Sequence, residues 1–212
     1  MGIEEPAESA STASGRAPRW RLILRLTLVL AICVGLGLIA YRAYRSNQAT
    51  NAAIAELSRL SSNATLVDAV ISQNAGTFRL KQAEIDEIDR RYKDDFKSQT
   101  GLALDLMTRP ASQMLKDYAD GAQDRIVLIM VMDARGLNVA DSRLTHDYWQ
   151  GDEEKFTKTF PLGAGAVHWG DPERDDVTGR VMRMVARTLT DPKTGEPIGA
   201  IAIGYDFMTL SR

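Results

Sequence analysis

The sequence holds one cysteine, Cys33, and two histidines, His146 and His168, in 212 residues. A lone cysteine excludes an internal disulfide framework and any cysteine-based zinc site. Neither histidine stands at a metal-ligand spacing, so no metal site is assigned. Net charge is nearly absent too: 26 basic residues against 28 acidic ones leave −2. No basic domain is available for nucleic acid, which is excluded as a partner. There is no Gly-x-Ser-x-Gly elbow and no phosphate-binding loop. Gly163-Ala-Gly165 is followed by a strand pattern and lacks the helix amino terminus that holds phosphate. These absences remove the usual catalytic arrangements. The chain reads as a non-enzyme with no catalytic residues and no cofactor.

Two acidic groups stand out against that background. Asp171-Pro-Glu173-Arg-Asp175 has acids at alternate positions, as calcium loops do. Asp176 stands where the sharp-turn glycine is needed, however, and Met182 occupies position twelve, so the segment reads as a solvated hairpin loop. Asp152, Glu153 and Glu154 open a helical pattern over about 152–160. There they complement the helix dipole rather than form an acid/base pair.

What the chain does have is one long apolar run. Leu26 to Tyr41 carries no charge, and Leu22, Ile23 and Leu24 extend the run past Arg25. Roughly 20 residues are needed to cross the hydrocarbon core, and the run reaches that length if Arg25 and Arg42 snorkel to the interfaces. Trp20, Tyr41 and Tyr44 fall where an aromatic belt sits. Residues 20–45 therefore read as a transmembrane signal anchor in contact with lipid. Residues 1–19, rich in Ala, Ser, Glu and Pro, read as a disordered cytoplasmic tail. A buried core helix and a cleaved signal peptide are the competing readings. The first leaves Arg16, Arg19, Arg21 and Arg25 unexplained. The second lacks a small-x-small cleavage site before Tyr41. The arginine excess before the run places the amino terminus in the cytoplasm and residues 46–212 on the other side of the membrane.

The charge divides at the same point. Residues 1–45 hold six arginines and three glutamates, while residues 46–212 hold 20 basic and 25 acidic residues. A basic anchor thus precedes an acidic domain of 167 residues, long enough for one core.

In that domain Ile54, Leu57, Leu60, Leu66, Val67, Val70 and Ile71 recur at helical spacing. Leu80, Ile85, Ile88, Tyr92 and Phe96 do the same, with Gly76 as the bend between the two stretches. Beyond about residue 100 the period turns to strand, apart from a helix at 111–119. Ile126–Met132 is a continuous apolar run, Asp133–Gly136 a turn, and Leu137–Asp141 the second arm of a hairpin. Strands are expected at 166–169, 180–190 and 197–207, the last two joined by Asp191-Pro-Lys-Thr-Gly195. Helices in front and antiparallel strands behind define an α+β domain.

Five residues are candidates for a ligand site: Tyr148, Trp149, Asp152, Arg183 and Arg187. Tyr148 and Trp149 sit between a strand end and a helix start. They are either pocket walls or a lid on the sheet, with Gly151-Asp152 capping the helix. Arg183 and Arg187 share one strand face with Val181, Val185 and Leu189, as a sheet edge or as a carboxylate-binding pair.

The order of these motifs carries a resemblance: a membrane anchor, a helix pair, Val131-Met-Asp133-Ala-Arg-Gly136-Leu-Asn-Val-Ala140-Asp-Ser142, Asp147-Tyr-Trp-Gln-Gly-Asp152-Glu, Gly163-Ala-Gly-Ala-Val167, and Thr190-Asp-Pro-Lys-Thr-Gly195-Glu-Pro-Ile-Gly199. Over residues 47–207 the chain resembles the Cache (PDC) type of extracytoplasmic sensor domain, a PAS-like fold of bacterial receptors, which implies a bacterial inner-membrane protein with residues 46–212 in the periplasm. The resemblance implies an antiparallel sheet of five or six strands behind a long amino-terminal helix. It also implies a pocket between the sheet and the loop–helix around Tyr148–Phe156, holding a small organic acid or amino acid. Such receptors continue into an output module, and none follows Phe207 here. The expectation is therefore lateral signalling through a partner sensor protein or a homodimer. An interaction subunit with an empty pocket is the alternative.

Overall fold

The computed structural model describes residues 19–210. The expected disordered tail lies outside the described residues, as do the side chains of Trp20, Arg21 and Arg25. The chain forms two compact units, one ending at Arg45 and the other spanning Ser46–Arg212.

The first helix, α1, runs over Arg19–Ser61. Within it, an 18-residue window reaches a mean hydropathy of 2.1 with none of it buried. Leu30, Ile32, Val34, Leu36, Leu38 and Ile39 are all more than half exposed. Because consecutive positions point around the whole helix, this stretch is apolar and exposed on every side among the described residues. It is long and apolar enough to cross a membrane.

The second unit is a mixed helix–sheet domain. The remainder of α1 turns amphipathic and buries Ala53, Leu57 and Leu60. The apolar stripe expected to run on through Ile71 is interrupted at Asn63, whose side chain accepts the Thr65 amide at 2.9 Å and starts α2, Ala64–Thr77. Helix α2 continues through Gly76, so the bend falls at residues 78–81 instead. There Glu84 Oε2 accepts the Lys81 amide at 2.8 Å and opens α3, Gln82–Ser98. The α4 helix, Gly101–Thr108, was not expected from the pattern. The Asp95 carboxylate accepts the Leu102 amide at 2.8 Å and caps it. Helix α5, Pro110–Asp120, has Pro110 in its first turn.

Five antiparallel strands follow, β1 (Ile126–Asp133), β2 (Asn138–Asp141), β3 (Val167–Arg174), β4 (Val181–Thr190) and β5 (Pro197–Asp206), ordered β2-β1-β5-β4-β3. The expected segment at 166–169 extends to Arg174, so Asp171–Arg174 of the acidic motif belong to an edge strand, while Asp175, just past its end, is buried against Arg143 rather than solvated. The expected helix at 152–160 shrinks to α6, Glu154–Thr157, and a 3₁₀ turn at Phe160–Leu162. A four-residue helix α7, Phe207–Leu210, ends the described chain.

Strand alternation sends two apolar sets to opposite faces. Ile129, Val131, Val185, Leu189, Ile201 and Ile203 meet the helical layer of α1, α2 and α5. Leu128, Met130, Met132, Met182, Met184, Ala186 and Ala202 face the other way, under Phe156 and Phe160. Gly204 leaves room on that second face, where an added Cβ would lie 2.7 Å from the Met182 sulfur.

Glu56 locks α1 to the sheet. Its carboxylate accepts Arg125 Nη1 and Nη2 at 2.7 and 2.8 Å, Tyr118 Oη at 2.8 Å and Tyr205 Oη at 2.7 Å. Burial would raise its pKa, but these donors overcome that and hold it at about 2. The folded value lies below the ordinary one, so the stabilisation is complete above about 4.5 and is lost as pH falls toward 2. Glu56→Gln is expected to cost about 2 kcal/mol at pH 7. Thermal unfolding of the full chain in lipid nanodiscs should show the gap between wild type and variant narrowing steadily as pH falls from 4.5 toward 2.

Candidate functional site

The site begins at the β1–β2 turn. Gly136 has φ 79°, which lets the chain reverse tightly. Asp133 is fully buried: Oδ1 accepts the amides of Arg135 and Leu137 at 2.8 and 3.0 Å. Its Oδ2 accepts Gln73 Nε2 at 3.0 Å and Thr77 Oγ1 at 2.7 Å, both from α2. The turn therefore fixes where α2 and its polar side chains lie.

Segment 145–149 is held on the other side by α3. Asp89 Oδ1 accepts the amides of Tyr148 and Trp149 at 2.8 and 3.0 Å. Tyr92 Oη donates to the Thr145 carbonyl at 2.9 Å, and its ring lies 5.3 Å from that of Tyr148. These contacts leave a cavity of about 680 Å³ between α2, α3, α4 and the turn. Ile88, Leu102, Leu137 and the Tyr148 ring supply apolar wall, Gln73 and Thr77 supply polar groups, and Arg91, Asp94 and Asp95 complete the lining. Volume and lining fall in the range of small-molecule sites. Tyr148 is 5% exposed. Burial raises its hydroxyl pKa, while the hydrogen-bonded Arg109 guanidinium pulls the other way.

The five residues singled out in the sequence do not converge. Tyr148 lines the cavity. Trp149 instead pairs with Leu137 and donates Nε1 to the Arg135 carbonyl at 2.9 Å, which locks the turn. Asp152 is exposed, and the acid that opens α6 is Glu154. Arg183 and Arg187 lie on the sheet face that bears Val185 and Leu189, remote in the sheet from β2. Strand β4 is internal, which removes the sheet-edge reading. Arg183 stacks over Trp169 at 5.3 Å and donates to the Gly170 carbonyl, and Arg187 reaches the Ser58 hydroxyl of α1. Gln73, Asp89 and Arg109 were not singled out. Only the fold brings them together, since they stand on three different helices or their ends.

The resemblance places a ligand around the segment Tyr148–Phe156, and the Phe156 end of that segment lies on the opposite sheet face. Phe156 and Phe160 stack at 5.3 Å over its methionines and alanines. A smaller cavity of about 270 Å³ remains beside them, lined by Glu153, Glu154, Lys155, His168, Asp171 and Glu173 among others. His168 Nε2 lies 3.2 Å from Glu154 Oε2. No cluster of metal-binding side chains occurs among the described residues.

Asp141 is fully buried at the end of β2. Its Oδ2 accepts Asn138 Nδ2 at 3.0 Å, and its Oδ1 has no hydrogen-bond partner. Burial pushes its pKa up to about 8, against the pull of Lys155, Thr145, Arg109 and Arg143.

No family model matches the sequence, and no curated protein matches it. Solved structures do. The extracellular domain of vpHK1S-Z8, named as a histidine kinase, gives a TM-score of 0.54 at 10% identity, over 86% of this chain and 61% of that one. The sensor domain of the V. cholerae histidine kinase DctB gives 0.45 at 14% identity, over 82% and 58%. The ligand-binding domain of the Campylobacter jejuni chemoreceptor Tlp3, in complex with L-valine, gives 0.40 at 10% identity, over 79% and 65%. The chain thus spans 58–65% of the length of these three domains. The likeness is one of fold, and the α+β fold with an antiparallel sheet expected from the sequence is the fold found.

The raised pKa of Asp141 has a definite sign. Unfolded, the group ionises near 3.8; folded, it keeps its proton to about 8. Its contribution to stability is full below pH 3.8 and is lost as pH climbs through 8. Asp141→Asn should therefore flatten the decline in melting temperature between pH 4 and pH 8, read by circular dichroism on the full chain. An unchanged slope would assign the decline to another group.

Proposed function

We propose that the chain is a membrane-anchored, extracytoplasmic sensor whose domain, residues 46–212, binds a small organic acid or amino acid. The observation that carries this reading is the cavity of about 680 Å³ with the Tyr148 ring in its wall. It is lodged in a fold whose solved neighbours are sensor domains. The apolar stretch of α1 supports a single span, and the arginines before it support a cytoplasmic amino terminus.

In this reading the ligand draws α2, α3, α4 and the 137–148 segment together. Helix α2 begins three residues after α1 ends. A shift of α2 on binding would load α1 through Asn63 and through the Glu56 contacts. A partner sensor protein or a second copy would receive that shift in the membrane or along α1. The reading names no enzymatic step, and no group of the site is assigned one.

One observation favours the alternative, an interaction subunit with an empty pocket: the stacked Phe156 and Phe160 cover the sheet face at the Phe156 end of the segment where the resemblance places the ligand. A single screen separates the two. The full chain in nanodiscs is melted against a panel of organic acids and amino acids. Ligand at a hundred times its dissociation constant adds about 2.7 kcal/mol, or roughly 5–10 °C for a domain of this size. Leu102→Trp, which fills the cavity from a half-buried position, should abolish that rise with little change in the melting temperature of the free protein. No rise with any compound would leave the interaction subunit.

A further inference from the structure

Gln73 lines two cavities at once. One is the Tyr148 cavity. The other, about 450 Å³, lies between α2 and the start of α5 and is lined by Thr65, Ser72, Gln73, Arg109, Pro110 and Val139, with Ala69 and Ala111 completing it. Gln73 is the residue that the two linings share, and its side-chain amide is tied on both sides. Its Nε2 donates to Asp133 Oδ2 at 3.0 Å and to the Asn138 carbonyl at 3.2 Å, and its Oε1 accepts Arg109 Nη1 at 3.1 Å.

Arg109 is three-quarters buried, and its surroundings are lopsided. Toward solvent, Nε and Nη2 both donate to Asp105 Oδ2, at 3.1 and 2.8 Å, and Asp105 is itself 60% exposed. Toward the interior, Nη1 meets only neutral oxygens, Gln73 Oε1 and the Val139 carbonyl at 3.0 Å, with the Tyr148 hydroxyl beside the guanidinium. A carboxylate in place of Gln73 Oε1 would exchange a neutral acceptor for a charged one, and charge-assisted hydrogen bonds are about twice as strong. In the Tyr148 cavity, which Gln73 also lines, Ile88, Leu102, Leu137 and the Tyr148 ring offer apolar surface.

We propose that the two cavities are halves of one site for a monocarboxylate with an apolar body. The carboxylate is held by Arg109 beside Gln73, the body lies in the Tyr148 cavity, and Gln73 swings aside to admit it. The proposal deepens the sensor reading and rests on it for the location of the site.

The test is calorimetric titration of the full chain in nanodiscs with 4-phenylbutyrate and with 4-phenyl-1-butanol, empty nanodiscs serving as the blank. The two probes share a body and differ in the carboxylate. The acid should bind at least tenfold more tightly than the alcohol. Leu102→Trp and Ser72→Trp, one in each cavity, should each weaken the acid tenfold or more, and Tyr148→Phe severalfold. Thermal melts of the same variants establish that they are folded. Equal affinity for acid and alcohol would overturn the role of Arg109 while leaving a ligand cavity in place. Weakening by Leu102→Trp but not by Ser72→Trp would overturn the joined site. Absence of binding by both probes would overturn the proposal, and the sensor reading would then stand or fall on the metabolite panel.

Discussion

The architecture hangs on one carboxylate. Glu56 stands on α1, and its donors come from α5, from the segment before β1 and from β5. Four hydrogen bonds on two oxygens hold the charged form despite partial burial, a balance visible in a pKa well below that of an ordinary glutamate. Removing the acid would leave Arg125 and two tyrosines without their common acceptor. Helix, strand and loop would then meet mainly through apolar contacts, which resist separation but do not fix register, with Arg187 on Ser58 and Arg59 on Tyr118 as the remaining polar ties. The fixed position of α1 in turn sets the starting point of α2, because only Ser62 and Asn63 separate the two helices.

From α2 the same logic extends to the cavities. A buried Asp133 aligns Gln73 and Thr77 with the β1–β2 turn, and Asp89 on α3 holds the amides of Tyr148 and Trp149. Two acids on different elements thus set the two walls of the larger cavity. The sheet face on the far side is treated differently. There Met130, Met132, Met182 and Met184 lie under two stacked phenylalanines, and flexible thioethers fill the space between them.

Much of the fold is legible in the sequence because its signals are local. The turns at Asp133–Gly136 and Asp191–Gly195 and the apolar run of β1 lie where their residues place them. Helix α4 is hidden because Leu102, Leu104 and Leu106 alternate as a strand would, although Ala103 and Leu106 are the ones buried and Leu104 is 53% exposed. The second half of β3 is hidden for the opposite reason. An edge strand can carry Pro172 and a run of exposed acids while still pairing through its backbone. The site is less legible than the fold. Tyr148 was readable as a wall, but Gln73, Arg109 and Asp133 meet across 60 or fewer residues of chain through contacts that no spacing rule encodes. Arg183 and Arg187 looked like a pair on an apolar face, and the fold gives each its own oxygen acceptor instead.

The central claim is that a small ligand occupies the space beside Tyr148 rather than the sheet face beneath Phe156. Hydrogen–deuterium exchange on the full chain in nanodiscs tests it most directly, using the panel compound with the largest thermal shift. The account predicts slowed exchange in α2, in α3–α4 and in residues 137–149. Slowing confined to residues 153–174 would contradict it.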